Sequence, residues 1–506
     1  TNNKTIPDEP KIDAKMAIIQ NDSSALNILH ALFNDYSMPI GIEIRGESSQ
    51  YFYPKKSFGI ETRDSLGDNL NISVFGLPKE NDWILYGPYG DKTMLRNALV
   101  YELAGKIMAW SPSLVLCELV IDNSYKGVYL FGEKIKRDKN RVDIAKLVEK
   151  DTLGNDLTGG YIIKIDKGER NSTDGWYSDF RPTPRSSQNI FYQYHYPKPE
   201  KIRIEQSAYI QNYMHAFEES LMGVDFKDQD KGYPSFIDVE SFIDYFLLNE
   251  LSRNVDGYRL STFLYKDKDS TDGRLKIGPV WDYNLGFGNA NYCNGFSHVG
   301  WAYKHNETCP NDYWSVPFWW ERFMEDPTFK NKLKTRWLEL REGPFHQDSL
   351  MEIINSKAQT LGSAVSRNYT TWPILGTWVW PNAEVKNSYA EELEEMKRWL
   401  SYRLIWLDNY IPGYPILTGT REIAMDVIAA GYPNPFDEYF TINGPIQPVD
   451  DLHLQVYSAT GRLILEQEIS SFPTQVFLNH QGAGFYYFSI RNRQGLIVNR
   501  GKMIKN

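Results

Sequence analysis

Residues 254–288, NVDGYRLSTFLYKDKDSTDGRLKIGPVWDYNLGFG, constrain this chain more than any other stretch. A run rich in Leu, Thr, Phe and Tyr at 259–266 meets a polar turn ending in Asp272-Gly273, and a second apolar run fills 275–281. Two such runs about a turn predict a β-hairpin. A hairpin returns the chain to its starting end, so Asp256, before the first strand, is expected close to Asp282, after the second. Two carboxylates gathered there, with Asn254 and Asn284 beside them, suit a divalent cation and a phosphate, because hard cations take oxygen ligands.

Two charged residues upstream sit where apolar ones belong. In the strand after Pro54, alternation places Lys56 on the same face as Phe58 and Ile60, and sends Lys55 toward solvent. A lysine on an apolar face needs an anionic partner, since burying it alone is costly. Residues 94–108 have a helical pattern, with Leu95, Ala98, Leu99 and Glu102 on one face. Lys56 paired with Glu102 would be the strand-lysine and helix-glutamate arrangement that holds nucleotide phosphates. An ordinary ion pair at the edge of the apolar stripe explains Glu102 equally well.

The remaining pattern is α+β. Strands are predicted at 16–20 and 40–45, a second hairpin at 114–122 and 127–135, and another strand at 159–166. Residues 168–203 read as polar loops, 204–222 and 238–253 as helices, the latter capped by Asp238. Further helical segments fill 317–340, 348–367 and 389–410. The acids of 266–273 resemble a calcium loop, but the glycine comes one place late and no Glu closes it, which favours a hairpin turn. After a linker at 412–420, the composition from 423 changes to short alternating strands, a separate all-β sandwich.

A net charge of −10 over 506 residues and the lack of a basic stripe argue against a nucleic-acid partner. No apolar run approaches the roughly 20 residues of a membrane helix. The start at Thr1, without Met or an apolar leader, reads as that of a processed or trimmed form. Of three cysteines, Cys117 lies in a strand-like run as a buried thiol. Cys293 and Cys309 flank a loop rich in Asn, Gly and His, where a disulfide, free thiols or a metal site with His298 and His305 all remain open.

The segments IGIEIRGESSQYFYPKKSFGIET, MLRNALVYELAGKIM, GVYLFGEKIK, GGYIIKID and NVDGYRLSTFLYKD…IGPVWDYNLGFGN resemble, in this order, blocks of the spore-coat protein H (CotH) kinase-like family, over about residues 10–415. The order of parts around the first hairpin also echoes protein kinases. The resemblance implies an atypical protein-kinase-like fold over 1–415 that binds ATP with Mg²⁺ or Mn²⁺ and phosphorylates secreted proteins. It maps Asp282 onto the metal-binding acid, with Asn284 beside it, and Asp256 onto the catalytic acid. It makes Lys56 the phosphate-contacting lysine with Glu102 as partner. Arg96 belongs to the Leu-Arg-Asn block and either approaches phosphate or pairs structurally. Many members carry an acid where this chain has Asn284, and Asn where it has Ser261.

Ala430-Gly431-Tyr432-Pro433-Asn434-Pro435-Phe436, the strand and turn at 456–462, 482–488 and the terminal Gly501-Lys502-Met503-Ile504-Lys505 resemble the C-terminal sorting domain of the type IX secretion system, over 421–506. That resemblance implies handling by the type IX machinery, a secreted or cell-surface location, and an oxidising setting in which Cys293 and Cys309 would pair. The expected function is an exported kinase moving the ATP γ-phosphate to Ser or Thr of secreted or surface proteins. The alternative is a pseudokinase-type adhesion or scaffold protein binding a protein or glycan.

Overall fold

The computed structural model describes residues 1–21, 26–29, 36–167, 173–415, 431–442, 452–491 and 497–506. The chain divides into two compact units, one of Thr1–Phe329 with Leu340–Ser401, the other of Lys330–Glu339 with Tyr402–Asn506. Helix occupies 28% and strand 25%, with antiparallel sheets, so the class is α+β.

The first unit opens with a six-stranded antiparallel sheet of β1 (Ile12–Ile18), β2 (Tyr36–Arg45), β3 (Ser57–Thr62), β4 (Asp82–Tyr86), β5 (Leu114–Ile121) and β6 (Ser124–Glu133), in the order β1-β2-β3-β4-β6-β5. Period-two alternation builds its core. Ile40 and Ile42 of β2, Phe58 and Ile60 of β3, Trp83 and Leu85 of β4, and Tyr129 and Phe131 of β6 form one buried cluster.

A second sheet takes β7 (Tyr161–Ile165), β8 (Gly175–Tyr177), β9 (Phe191–Tyr196), β10 (Thr262–Lys266) and β11 (Leu275–Ile277), ordered β11-β10-β7-β9-β8. β10 and β11 are the predicted hairpin, with Leu264 opposite Ile277 and Lys266 opposite Leu275. β10 also pairs with β7, setting Thr262 against Ile165. The expected loop at 168–203 instead carries β8 and β9, with 168–172 outside the described residues. β9 reads FYQYHY, whose first four residues are all buried, so it shows no alternation. Its polar tips are satisfied inside: Tyr192 Oη donates to Glu218 at 2.6 Å, and Tyr194 Oη accepts from Gln211 at 2.6 Å.

Helix Ile204–Met222 falls where expected, and helix Val239–Ser252 begins at Asp238, whose carboxylate accepts from Ser241 N at 2.8 Å. Of the latter's 14 residues only Glu240 and Ser241 escape burial, so it is anchored on every side. The segment expected as one helix at 317–340 splits into Trp319–Phe323 and Pro327–Arg341, because proline suits a first turn and disfavours helix before it. Similarly, Gln347–Leu361 and Ala364–Thr371 are separated at Gly362, which takes the left-handed φ of 44°.

In the second unit β12 (Gly431–Tyr432), β13 (Tyr439–Ile442) and β16 (Thr474–Phe477) form one sheet, in the order β12-β13-β16. The other holds β14 (Leu452–Ser458), β15 (Leu463–Ile469), β17 (Gly484–Arg491) and β18 (Ile497–Lys505), in the order β15-β14-β17-β18. Phe440, Ile442 and Val476 from the first and Leu454, Val456, Phe488 and Ile490 from the second share one core, which makes a sandwich. Much of the expected linker, from 416 onward, lies outside the described residues.

Candidate active site

Helix Val239–Ser252 ends at Arg253, which turns left-handed with φ 44° and throws the chain into the loop before β10. Asn254 then bridges the two ends of the hairpin. Its Nδ2 donates to the carbonyl of Asp282 at 3.2 Å, and its Oδ1 accepts from Asp256 N at 3.3 Å. The Asp256 carboxylate is held in turn by Arg259 Nη2 at 3.0 Å.

On the other arm Asp282 itself has a left-handed φ of 65°, a conformation that costs a non-glycine residue free energy and needs support. Helix Arg96–Ile107 gives that support: Asp282 N donates to Tyr101 Oη at 3.1 Å, and Tyr283 N to Asn97 Oδ1 at 2.6 Å. From the helix start, Arg96 Nε donates to the carbonyl of Gly286 at 3.1 Å while its Nη1 lies 2.5 Å from Asp91 Oδ1. The carbonyl of Asn284 accepts from Asn289 Nδ2 at 2.8 Å.

A third acid completes the group. Asp166 follows β7, and the pairing of β7 with β10 brings it beside Ser261, whose N–H points at its Oδ1 across 3.3 Å. The surface of Asp282 is exposed to solvent, although protein atoms crowd around its carboxyl. Burial first, then the charges of Asp256 and Asp166, push its carboxyl up to about 6, with Arg45 and Lys167 pulling the other way. Water reaching the carboxylate screens part of that repulsion. Arg45, at the end of β2, stacks on Trp281 at 5.4 Å. Lys167 donates to Ser48 Oγ at 3.0 Å and lies over Trp314 at 5.4 Å. Three carboxylates faced by two cations make a place where a divalent ion and a polyanion could each find opposite charge.

The upstream residues fall differently from expectation. Strand β3 starts only at Ser57, so the alternation read back through Lys56 is broken there. Lys55, expected in solvent, is the buried one, 2% exposed, donating to Val128 O at 2.6 Å and Asn368 Oδ1 at 2.9 Å. Lys56 donates to the carbonyls of Gln50 and Tyr53 at 2.5 and 2.8 Å. Glu102 pairs with Lys357 at 2.7 Å and Lys106 at 3.1 Å, so the expected Lys56–Glu102 pair is not formed. Arg96 forms an ion pair with Asp91 at 2.5 Å. Sequence reasoning missed Arg45, Asp166, Lys167 and Arg259 as members of the group. The one available signal was the acid ending GGYIIKID, a strand that its apolar run marks as interior.

Cys293 and Cys309 form a disulfide with Cα atoms 5.4 Å apart. His305 and Asp312 stand beside it, within the 4.8 Å spread of a metal-sized cluster, but the two sulfurs bind each other. Closing a loop of 16 residues stabilises the fold by about 3 kcal/mol through the entropy of the unfolded chain.

The sequence profile described as CotH kinase protein matches residues 42–407. The chain belongs to the CotH kinase protein family. Membership suggests nucleotide and metal use, in keeping with an oxygen-rich cluster of mixed charge. A second profile, that of a secretion system C-terminal sorting domain, matches residues 430–506 and covers the sandwich. This CotH protein is therefore secreted or displayed at the cell surface, handled by the type IX system. No curated protein matches the chain closely. Among the described residues no helix is long and apolar enough to cross a membrane.

Proposed function

We propose that this protein is an exported, metal-dependent atypical kinase that transfers the γ-phosphate of ATP to Ser or Thr of secreted or surface proteins. Residues 1–415 would carry the activity and 421–506 the export address. The observation that carries the reading is the gathering of Asp256 and Asp282 through Asn254 and of Asp166 through the β7–β10 pairing, with the cations Arg45 and Lys167 also acting on Asp282. Burial first, and then the like charges of Asp256 and Asp166, raise the carboxyl of Asp282, and a bound cation would relieve that repulsion.

Hard carboxylate and amide oxygens fit Mg²⁺ or Mn²⁺, so Asp282 and Asn284 are assigned as the metal side. The ion would neutralise phosphate charge there. Asp256 accepts the hydrogen bond of the acceptor hydroxyl and orients it. Arg45 and Lys167 face the phosphates as the cationic wall. Lys56 and Arg96 act at one remove in this reading, Lys56 by shaping the Ser48–Phe52 turn and Arg96 by fixing the loop after Asp282. Glu102 is left outside the nucleotide site.

Two observations favour a second reading. Without a Lys56–Glu102 pair and with Asn284 in place of an acid, the chain would serve as a pseudokinase-type adhesion or scaffold protein. Labelled ATP separates the two. Metal-dependent transfer of label to protein serine or threonine, lost in Asp256→Asn while Mg²⁺–ATP still raises the melting temperature, supports the kinase. Folded wild type that neither transfers label nor responds to millimolar Mg²⁺–ATP establishes the scaffold.

A further inference from the structure

The loop closed by the disulfide does not end at the disulfide. Asp312 N donates to the carbonyl of Cys309 at 3.0 Å, and Cys309 N to that of His305 at 2.7 Å, so the two side chains of His305 and Asp312 are carried by the crosslinked segment. Asp312 Oδ2 lies 3.2 Å from His305 Nε2 and 3.3 Å from Arg259 Nη1, and its Oδ1 accepts from Trp314 N at 3.0 Å. Burial works to raise this carboxyl, but the His305 hydrogen bond and the Arg259 charge outweigh it and hold it at about 2.

Arg259 is the common member. Its side chain is 2% exposed, and it is fastened at four points: Nε to Val255 O at 2.9 Å, Nη1 to Trp314 O at 3.3 Å and to Asp312, and Nη2 to Asp256 Oδ1 at 3.0 Å. A guanidinium is a rigid planar fork, so fixing one end fixes the direction of the other. The carboxylate at the far end of the fork is the one assigned to the acceptor hydroxyl.

We infer that Arg259 and Asp312 are positioning residues for phosphoryl transfer, holding the Asp256 carboxylate by one oxygen, with the Cys293–Cys309 disulfide as the mount that keeps Asp312 in place. The inference rests on the kinase reading, because it concerns how Asp256 is aimed. Orientation of a reacting group is where small displacements cost most: a shift of about 1 Å can lower turnover about 10²-fold. A buried arginine shared between two acids suits this, as either partner's loss lets the fork swing toward the other.

The test compares wild type with Arg259→Lys, Asp312→Asn and the double variant Cys293→Ser/Cys309→Ser. Each is assayed for transfer of label from Mg²⁺–ATP to a generic acceptor protein, and for the rise in melting temperature that Mg²⁺–ATP produces. Arg259→Lys and Asp312→Asn are expected to lower kcat by about 10²-fold, with KM for ATP and the nucleotide-induced rise both at wild-type values. The cysteine variant should lose about tenfold by the same route, and Asp312→Glu should recover part of the Asp312→Asn loss. A purely structural role would instead weaken nucleotide response and turnover together, which overturns the inference; a lower melting temperature alone is expected of the cysteine variant, which loses the crosslink. So would wild-type kcat in Asp312→Asn and in the cysteine variant. Failure of the underlying reading is distinct, since then the wild type itself would transfer nothing and show no rise.

Discussion

Glu102 reaches Lys357 across 2.7 Å, and this contact ties helix Arg96–Ile107 to helix Gln347–Leu361. Both side chains keep some exposure, 35% and 21%, so the pair is worth about 0.5–1 kcal/mol. Glu102→Gln should lower stability by that amount in denaturant melts and leave the thermal response to Mg²⁺–ATP intact. Loss of the nucleotide response in this variant would return Glu102 to the phosphate site.

Asp282→Ala is the sharper substitution. A ligand present at about 100 times its dissociation constant stabilises the folded form by about 2.7 kcal/mol. The wild type should show such a metal-dependent rise in thermal melts with Mn²⁺–ATP or Mg²⁺–ATP, and the variant none. Equal rises in both proteins would remove Asp282 from the metal side.

The same carboxyl predicts two pH slopes of opposite sense. Its pKa in the fold is raised, to about 6, so its contribution to stability is complete below the unfolded value of 3.8 and is lost as pH rises through 6. Asp282→Asn should therefore gain stability relative to wild type above pH 6, the difference vanishing toward pH 4. Metal-dependent ATP binding needs the ionised form and should weaken as pH falls through about 6. Titration calorimetry at a series of pH values reads the second slope, and melts in the absence of metal read the first.

Lys55 supplies an alkaline counterpart. Burial holds its ammonium down to about 7 from 10.5, so the unfolded chain binds more protons between these values and stability rises with pH across that window. Lys55→Met removes this rise and leaves Val128 O and Asn368 Oδ1 short of a donor. The variant should be destabilised by about 1–3 kcal/mol near pH 10 and by less near pH 6, in denaturant melts at the two pH values.

What the chain disclosed in advance was local. The hairpin of 254–288, the capped helix at Asp238 and the helix of 204–222 each depend on neighbours within a few residues, and turn and periodicity signals report such neighbours. The Lys55–Lys56 pair was read backwards because alternation holds only inside a strand, and β3 begins one residue later. β9 was hidden because a tyrosine-rich strand buried on both faces has no polar side to alternate with. Asp166 and Lys167 reach Asp282 through the pairing of β7 with β10, and Arg45 through its stacking on Trp281, long-range contacts that no local pattern encodes. The kinase-type ion pair was inferred by analogy of order, and Lys357, over 250 positions downstream, took the glutamate instead.

Helix Val239–Ser252, buried over nearly its whole length, has one more consequence. Asp256 hangs from its end, so that end of the hairpin behaves as an anvil: shifting it would mean unpacking Phe242, Phe246 and Leu247 from the core. The turn at Ser48–Phe52 is of another kind. Ser48–Phe52 buries no residue, and Tyr51 stands 86% exposed. Local opening of this unit should therefore begin in the light turn, with the aim of Asp256 among the last things to be lost.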